Sequence, residues 1–256
     1  MLSLGTVPFL VGKPLIHGLD QDPGIRLVED SPANLGISLK EGSLDAALAS
    51  SIFALGESPL PFWTDGPLVA CDGPARSVLV LVRPGLPSPS GIRTLLLDPS
   101  SRTGRELALL ILEESYGARP LTQETTPGAD PFCLGADAVQ IIGDAALSAR
   151  TRVEEGWTLL DLGEEWKKLT QLPFVFAGWV GRPGFDPASV GDLLETALAR
   201  GLAARNQLIL DASPDLELDD DSLRRYLFDD MKYHLPAGQA AEALRTFDRL
   251  RRVPVT

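Results

Sequence analysis

The segment Asp98-Pro-Ser-Ser-Arg-Thr-Gly104 places three hydroxyls and a guanidinium directly after an apolar run, Ile92 to Leu97. Downstream, Leu107, Ala108, Leu110, Ile111 and Leu112 recur at helical spacing. The pattern predicts a strand over 92–97, a turn, and a helix over 104–116. Unpaired N–H groups of the first helical turn and the positive end of the helix dipole would then meet the Ser100, Ser101 and Thr103 hydroxyls and the Arg102 guanidinium. Such a convergence suits a carboxylate or a phosphate. The competing reading is an ordinary serine cap with Arg102 in solvent, and the segment alone leaves both open.

The elements that would position this turn alternate along the chain. Strand-like runs at 5–9, 25–29 and 46–49 are separated by helix-like runs at 14–19 and 31–41, the βαβαβ order of a parallel sheet covered by helices. Ser77 to Val82 is rich in β-branched residues, and the Pro- and Gly-rich 83–91 follows it. That stretch predicts a crossing to a second lobe containing strands at 92–97, 119–123, 138–142 and 158–161. The apolar run Pro173 to Val180, ending at Gly181-Arg-Pro-Gly184, would carry the chain back. The expected fold is α/β and two-lobed with a ligand cleft at the hinge. Lobe 1 comprises 1–83 and 181–256, lobe 2 comprises 84–180, and the crossings fall near 82–91 and 173–184. From Ser189 the pattern is helical, and the acidic run Asp215 to Asp221 reads as a loop capping a helix at 222–228.

In open α/β sheets ligands gather beyond the carboxyl ends of strands. That rule selects Lys13, Ser50 and Ser51 in the first lobe and Ser100, Ser101, Arg102, Thr103 and Asp144 in the second. Ser77, opening the crossing strand, would face the same cleft. Each has a plainer alternative: Ser50, Ser51 and Asp144 as helix caps, Lys13 as a solvated charge, His17 as a satisfied structural histidine. Trp166, Phe174, Phe176 and Trp179 read as packing.

Composition narrows the classes. With 35 acidic against 23 basic residues, a formal charge of −12 and no dense Lys/Arg block, binding to nucleic acid or anionic membrane is not expected. Residues 1–12 lack the basic and apolar regions of a signal peptide, and no run supplies the ~20 apolar residues of a membrane span, so a cytoplasmic protein is expected. Cys71 and Cys133 form no CxxC motif and are expected reduced and half-buried. His17 and His234 have no ligand spacing, and no dinucleotide or Walker motif is present. Neither a metal nor a cofactor is expected, and no protein partner is evident.

Several blocks together resemble a known family. They are Val7-Pro-Phe-Leu-Val-Gly-Lys-Pro-Leu-Ile-His-Gly-Leu19, Gly42-Ser-Leu-Asp-Ala-Ala-Leu-Ala-Ser-Ser51, Cys71-Asp-Gly-Pro-Ala-Arg-Ser77, Ser100-Ser-Arg-Thr103, Ile142-Gly-Asp-Ala-Ala-Leu147, and Asp161-Leu-Gly-Glu-Glu-Trp-Lys167 with Leu172-Pro-Phe-Val-Phe-Ala177. In order and spacing they resemble the chorismate dehydratase family of the futalosine route to menaquinone, over nearly the whole chain. The resemblance implies a type II periplasmic-binding-protein-like fold put to enzymatic use. It also implies a cofactor-free loss of water from chorismate, giving 3-(1-carboxyvinyloxy)benzoate. Chorismate is a dianion, so Lys13, Ser50, Ser51 and Ser100 to Thr103 become its expected contacts, with Ser77, Asp144 and His17 at the chemistry. Asp144 and His17 are the titratable candidates for the base, and a substrate carboxylate is the alternative.

Two positions depart from the family pattern. Val11 stands where Asn is usual in the Tyr/Phe-Leu-Asn-x-x-Pro-Leu stretch, and Gly104 where Ser is common. Two other functions compete. One is 1,4-dihydroxy-6-naphthoate synthase of the same route, whose Ser-Pro-Cys-Pro-Asn-Asp-like stretch is missing from this chain. The other is a non-catalytic receptor for a small carboxylated ligand, which normally carries an export or anchoring signal.

Overall fold

The computed structural model describes residues 1–126 and 128–251. Its strands are β1 (Leu2–Thr6), β2 (Ile25–Glu29), β3 (Ala46–Ser50), β4 (Leu68–Cys71), β5 (Val78–Val82), β6 (Thr94–Leu97), β7 (Leu121–Glu124), β8 (Ala138–Ile142), β9 (Thr158–Asp161), β10 (Phe174–Gly181) and β11 (Met231–Lys232). Its helices are α1 (Pro32–Glu41), α2 (Arg102–Tyr116), α3 (Gly143–Thr151), α4 (Leu162–Thr170), α5 (Gly191–Ala203), α6 (Arg205–Leu216), α7 (Asp220–Arg225) and α8 (Gln239–Arg251).

Two sheets form the two lobes. The first has the order β11-β4-β10-β3-β1-β2 and the second β7-β6-β8-β5-β9. As the alternating pattern predicts, β1 pairs in parallel with both β2 and β3. In the second sheet β6 pairs in parallel with β7 and β8. Local chemistry sets the helix ends. The Ser31 hydroxyl accepts the Asn34 N–H at 3.2 Å to start α1, and α2 stops where Gly117 turns left-handed at φ 65°. Asp219 accepts the Ser222 N–H at 2.8 Å and caps α7; the acidic run expected as a loop is instead split, with Asp215 in α6 and Asp220 and Asp221 in the first turn of α7.

The lobe boundaries differ from those expected. Strand β5 lies in the second sheet, antiparallel to both β8 and β9. Strand β10 lies in the first, antiparallel to β3 and β4. The chain therefore crosses at 72–77 and returns through α4 and 171–173, rather than near 82–91 and 173–184. Both strands are almost wholly buried apolar runs, a composition that declares burial without saying which sheet supplies the partners. The Pro/Gly-rich 83–91 is a surface connection inside the second lobe, from β5 to β6.

Two smaller differences lie near the N-terminus. The first strand occupies 2–6 rather than 5–9, and a 3-10 turn, Leu10–Ile16, replaces the expected helix at 14–19. Pro14, which has no N–H to donate, sits inside this turn. Gly201 of α5 packs directly on it: a Cβ there would lie 2.0 Å from the Pro14 carbonyl oxygen. The α5 backbone thus fixes the segment that carries Leu10 and Val11.

Trp166, Phe174 and Phe247 meet edge-to-face with centroids 5.0–5.9 Å apart, and Trp179 is fully buried. Phe176 packs beside Phe174 and also reaches the cleft. Both cysteines are free. Cys71 is fully buried and Cys133 exposed, so neither is half-buried as expected.

Candidate active site

A cavity opens between the lobes, with about 610 Å³ of atom-free space including its mouth. Its walls are apolar: Val7, Phe9, Val11, Val69, Phe176 and Met231 among others. Its polar side chains are four hydroxyls, those of Ser50, Ser77, Ser101 and Thr103. Among the described residues, no Asp, Glu, His, Lys or Arg side chain lines it.

Each hydroxyl arrives on a different element. Ser50 ends β3, Ser77 immediately precedes β5, and Ser101 and Thr103 open α2. Ser50 and Ser101 make no side-chain hydrogen bond within the described residues, so both hydroxyls are free for a ligand. Two helices begin at the cavity, α2 at Ser101 to Gly104 and α3 at Gly143. Neither has a side-chain cap, whereas Ser31, Asp161 and Asp219 cap α1, α4 and α7. At α3 the Gly143 N–H is taken by the Ser77 carbonyl at 2.8 Å, so the first turn of α2 is the one whose N–H groups present partial positive charge to the cavity without a formal cation.

Side chains from both lobes hold the cleft together. Thr103 Oγ1 accepts the Ile52 N–H at 3.1 Å and lies 3.3 Å from Ser51 Oγ. The Ser51 proton is committed to the Val175 carbonyl at 2.7 Å, so Thr103 donates to Ser51. From the second lobe, the Asp144 carboxylate accepts the Leu10 N–H at 3.1 and 3.2 Å. Burial pushes the Asp144 carboxyl above its usual range, against the lowering effects of that N–H and of Lys13. Phe9 lies over Gly143, where a Cβ would meet its ring at 2.5 Å and the φ is 63°. Glycine at that position lets the N-terminus of α3 approach the first lobe.

Of the residues expected at the site, Ser50, Ser77, Ser101 and Thr103 converge and the rest do not. Ser51 lies behind the wall as a fully buried support for Thr103. Ser100 turns back, its N–H and hydroxyl both donating to Asp98 Oδ1 at 2.8 and 2.6 Å. Arg102 is exposed and makes no hydrogen bond or ion pair among the described residues. At 3.6 residues per turn it falls roughly opposite Thr103 and Gly104, so the guanidinium does not join the turn's hydroxyls. Lys13 pairs with Glu29 at 3.2 Å. His17 is half-buried at the end of the 3-10 turn, outside the cavity lining. Asp144 neither lines the cavity nor caps a helix; it ties the lobes together.

Val11, buried apart from its cavity face, offers the ligand no hydrogen bond. At Gly104 a Cβ would lie 2.4 Å from Ser101 Oγ, so even the smallest side chain would displace that hydroxyl. Sequence reasoning missed the apolar walls and Tyr226, whose hydroxyl donates to Ser77 Oγ at 2.8 Å. Nothing local marks Tyr226, which stands 149 residues from Ser77.

Two sheets, two crossings and an interlobe cavity define a two-lobed, binding-protein-like molecule with a small-molecule cleft. Solved structures share this fold. A protein from Archaeoglobus fulgidus matches with a TM-score of 0.70 and 15% identity, over 97% of this chain and 96% of that one. The periplasmic aliphatic sulphonate binding protein of Escherichia coli matches at 0.62 and 18%, over 99% and 88%. A Candida albicans protein described as having the generic periplasmic binding protein fold matches at 0.65 and 12%, over 100% and 92%. The particular assignment comes from sequence: residues 2–252 match the family model described as menaquinone biosynthesis, and the chain belongs to that family. A chorismate dehydratase of Thermus thermophilus is 28% identical over 254 residues, 89% of this chain and 90% of that protein. Among the described residues, no helix is long and apolar enough to cross a membrane.

Proposed function

We propose that this protein dehydrates chorismate, acting as a carbon–oxygen lyase that releases water and 3-(1-carboxyvinyloxy)benzoate. One observation carries the reading. The similarity to a chorismate dehydratase spans both lobes, and the cavity between them is lined by apolar side chains, four neutral hydroxyls and the start of α2. A rigid dianion with two separated carboxylates suits such a lining. Ser101 with the α2 N-terminus receives one carboxylate. The Ser50 hydroxyl, from the first lobe, receives the other. Each charge-assisted hydrogen bond contributes about 1.5–3 kcal/mol, more effectively where apolar walls exclude water.

The chemistry removes a ring proton and the neighbouring ring hydroxyl. No side chain among the described lining residues titrates, which favours the substrate's own carboxylate as the proton acceptor. In that role the carboxylate of the enolpyruvyl arm takes the proton from the ring carbon bearing the arm. The electron pair of that C–H bond becomes the new ring double bond, and the C–O bond to the hydroxyl breaks. Ser77 hydrogen-bonds the departing oxygen, which takes up the proton held by the arm's carboxylate and leaves as water, so the carboxylate is again ionised and Ser77 keeps its own proton. Aromatisation of the ring makes the step downhill. Purified protein incubated with chorismate tests the proposal, with product followed by chromatography and mass. Product well above the spontaneous background is expected, and a background-level rate would refute the assignment.

A further inference from the structure

Tyr226 opens a five-residue π-helical turn, Tyr226–Asp230, directly after α7. Turns of this kind recur at functional sites because the extra residue per turn re-aims side chains. Here both ends of the turn reach the 72–77 crossing. The Tyr226 hydroxyl donates to Ser77 Oγ at 2.8 Å, and the Asp230 carboxylate pairs with the Arg76 guanidinium. Arg76 itself is held at φ 57°, in the left-handed region a side chain rarely adopts. Asp161 accepts the N–H groups of Ala75 and Arg76, both at 2.8 Å. All these constraints bear on the residues that lead into one cavity hydroxyl, that of Ser77.

The proton arrangement follows from the partners. Tyr226 is wholly buried, its phenol has no other hydrogen-bond partner among the described residues, and burial keeps it neutral. It must therefore donate to Ser77 Oγ. Ser77's own proton is left with the Ala75 carbonyl at a long 3.3 Å, or with whatever occupies the cavity. A hydroxyl that accepts one hydrogen bond becomes a stronger donor of the next.

We propose that Tyr226 is a positioning residue for the reaction: its hydroxyl holds Ser77 in the rotamer that turns the Ser77 O–H into the cavity and strengthens it as a donor to the departing hydroxyl. The proposal rests on the chorismate reading above. A double-mutant cycle of Tyr226→Phe and Ser77→Ala tests it, because Phe keeps the buried ring and removes only the oxygen. With Ser77 present, Tyr226→Phe lowers kcat about tenfold and leaves KM within about twofold. In the Ser77→Ala background the same change costs less than about twofold. An equal loss in both backgrounds would overturn the proposal, leaving Tyr226 a packing residue. If the wild-type protein binds chorismate without turning it over, the dehydratase reading fails, and the cycle is read as chorismate affinity by calorimetry. A severalfold weakening confined to the Ser77 background then supports the positioning role, and additive effects overturn it. Neither turnover nor binding by the wild type would remove both proposals.

Discussion

Replacing Thr103 by Val tests whether the interlobe bonds set the affinity of the cleft. The residue is 3% exposed, and Val preserves its β-branched shape while removing Oγ1. Two interactions go: the Ile52 N–H loses its acceptor at 3.1 Å, and Ser51 Oγ loses its donor at 3.3 Å. A buried N–H left without a partner costs about 1–3 kcal/mol. Opening the lobes returns that N–H to water, so the cost falls on the closed form rather than on the fold. Affinity for the product should then weaken about 5- to 150-fold, with only a small fall in Tm. Calorimetric titration with 3-(1-carboxyvinyloxy)benzoate, paired with thermal unfolding, measures both, and Thr103→Ser serves as the control that retains the oxygen. Affinity within twofold of the wild type would refute the argument, as would a large fall in Tm at unchanged affinity.

Three further predictions follow from the same geometry. Arg102→Ala should leave product affinity within about twofold, because the side chain is exposed and unpaired; a tenfold loss by calorimetry would put the guanidinium back in the site. Asp161→Ala should cost about 3–5 kcal/mol in urea unfolding, since its buried carboxylate accepts from Ala75, Arg76, Gly163 and Glu164 and pairs with Arg150. A loss under about 1 kcal/mol would contradict that accounting. For Asp144, burial raises the native pKa above the unfolded value. Its contribution to stability is therefore complete below about pH 3.9 and is lost as pH rises through the native value. Asp144→Asn keeps an acceptor for the Leu10 N–H and cannot ionise, so its stability relative to wild type should climb from about pH 4 and then level off. A difference independent of pH, measured by denaturant titration, would refute this.

Local sequence carried much of the secondary structure. The apolar runs at 25–29, 138–142 and 158–161 are strands at those limits, because short β-rich runs bounded by turn residues admit little else. The strand–turn–helix around Ser100 was equally legible, since a hydroxyl-rich turn before a 3.6-residue period is a helix start wherever it occurs. The block resemblance extended this to the whole fold and family, through order and spacing that no single block carries.

Tertiary structure decided the rest. Strands β5 and β10 are apolar throughout, and only pairing could say which sheet each completes. Hydroxyls at 50, 77, 101 and 103 were candidates together with the groups at 13, 17, 51, 100, 102 and 144, because each sits near a strand end. Which of them faces the cavity depends on helix phase and on the approach of the other lobe, and neither is encoded locally. Helix phase turned Arg102 to solvent, and closure consumed Asp144 as a tie to Leu10. Tyr226 reached Ser77 through a π-turn far along the chain. Residue type and spacing thus determined the elements and the family, while the cavity, its neutral lining and the bonds that hold it shut arise only where distant segments meet.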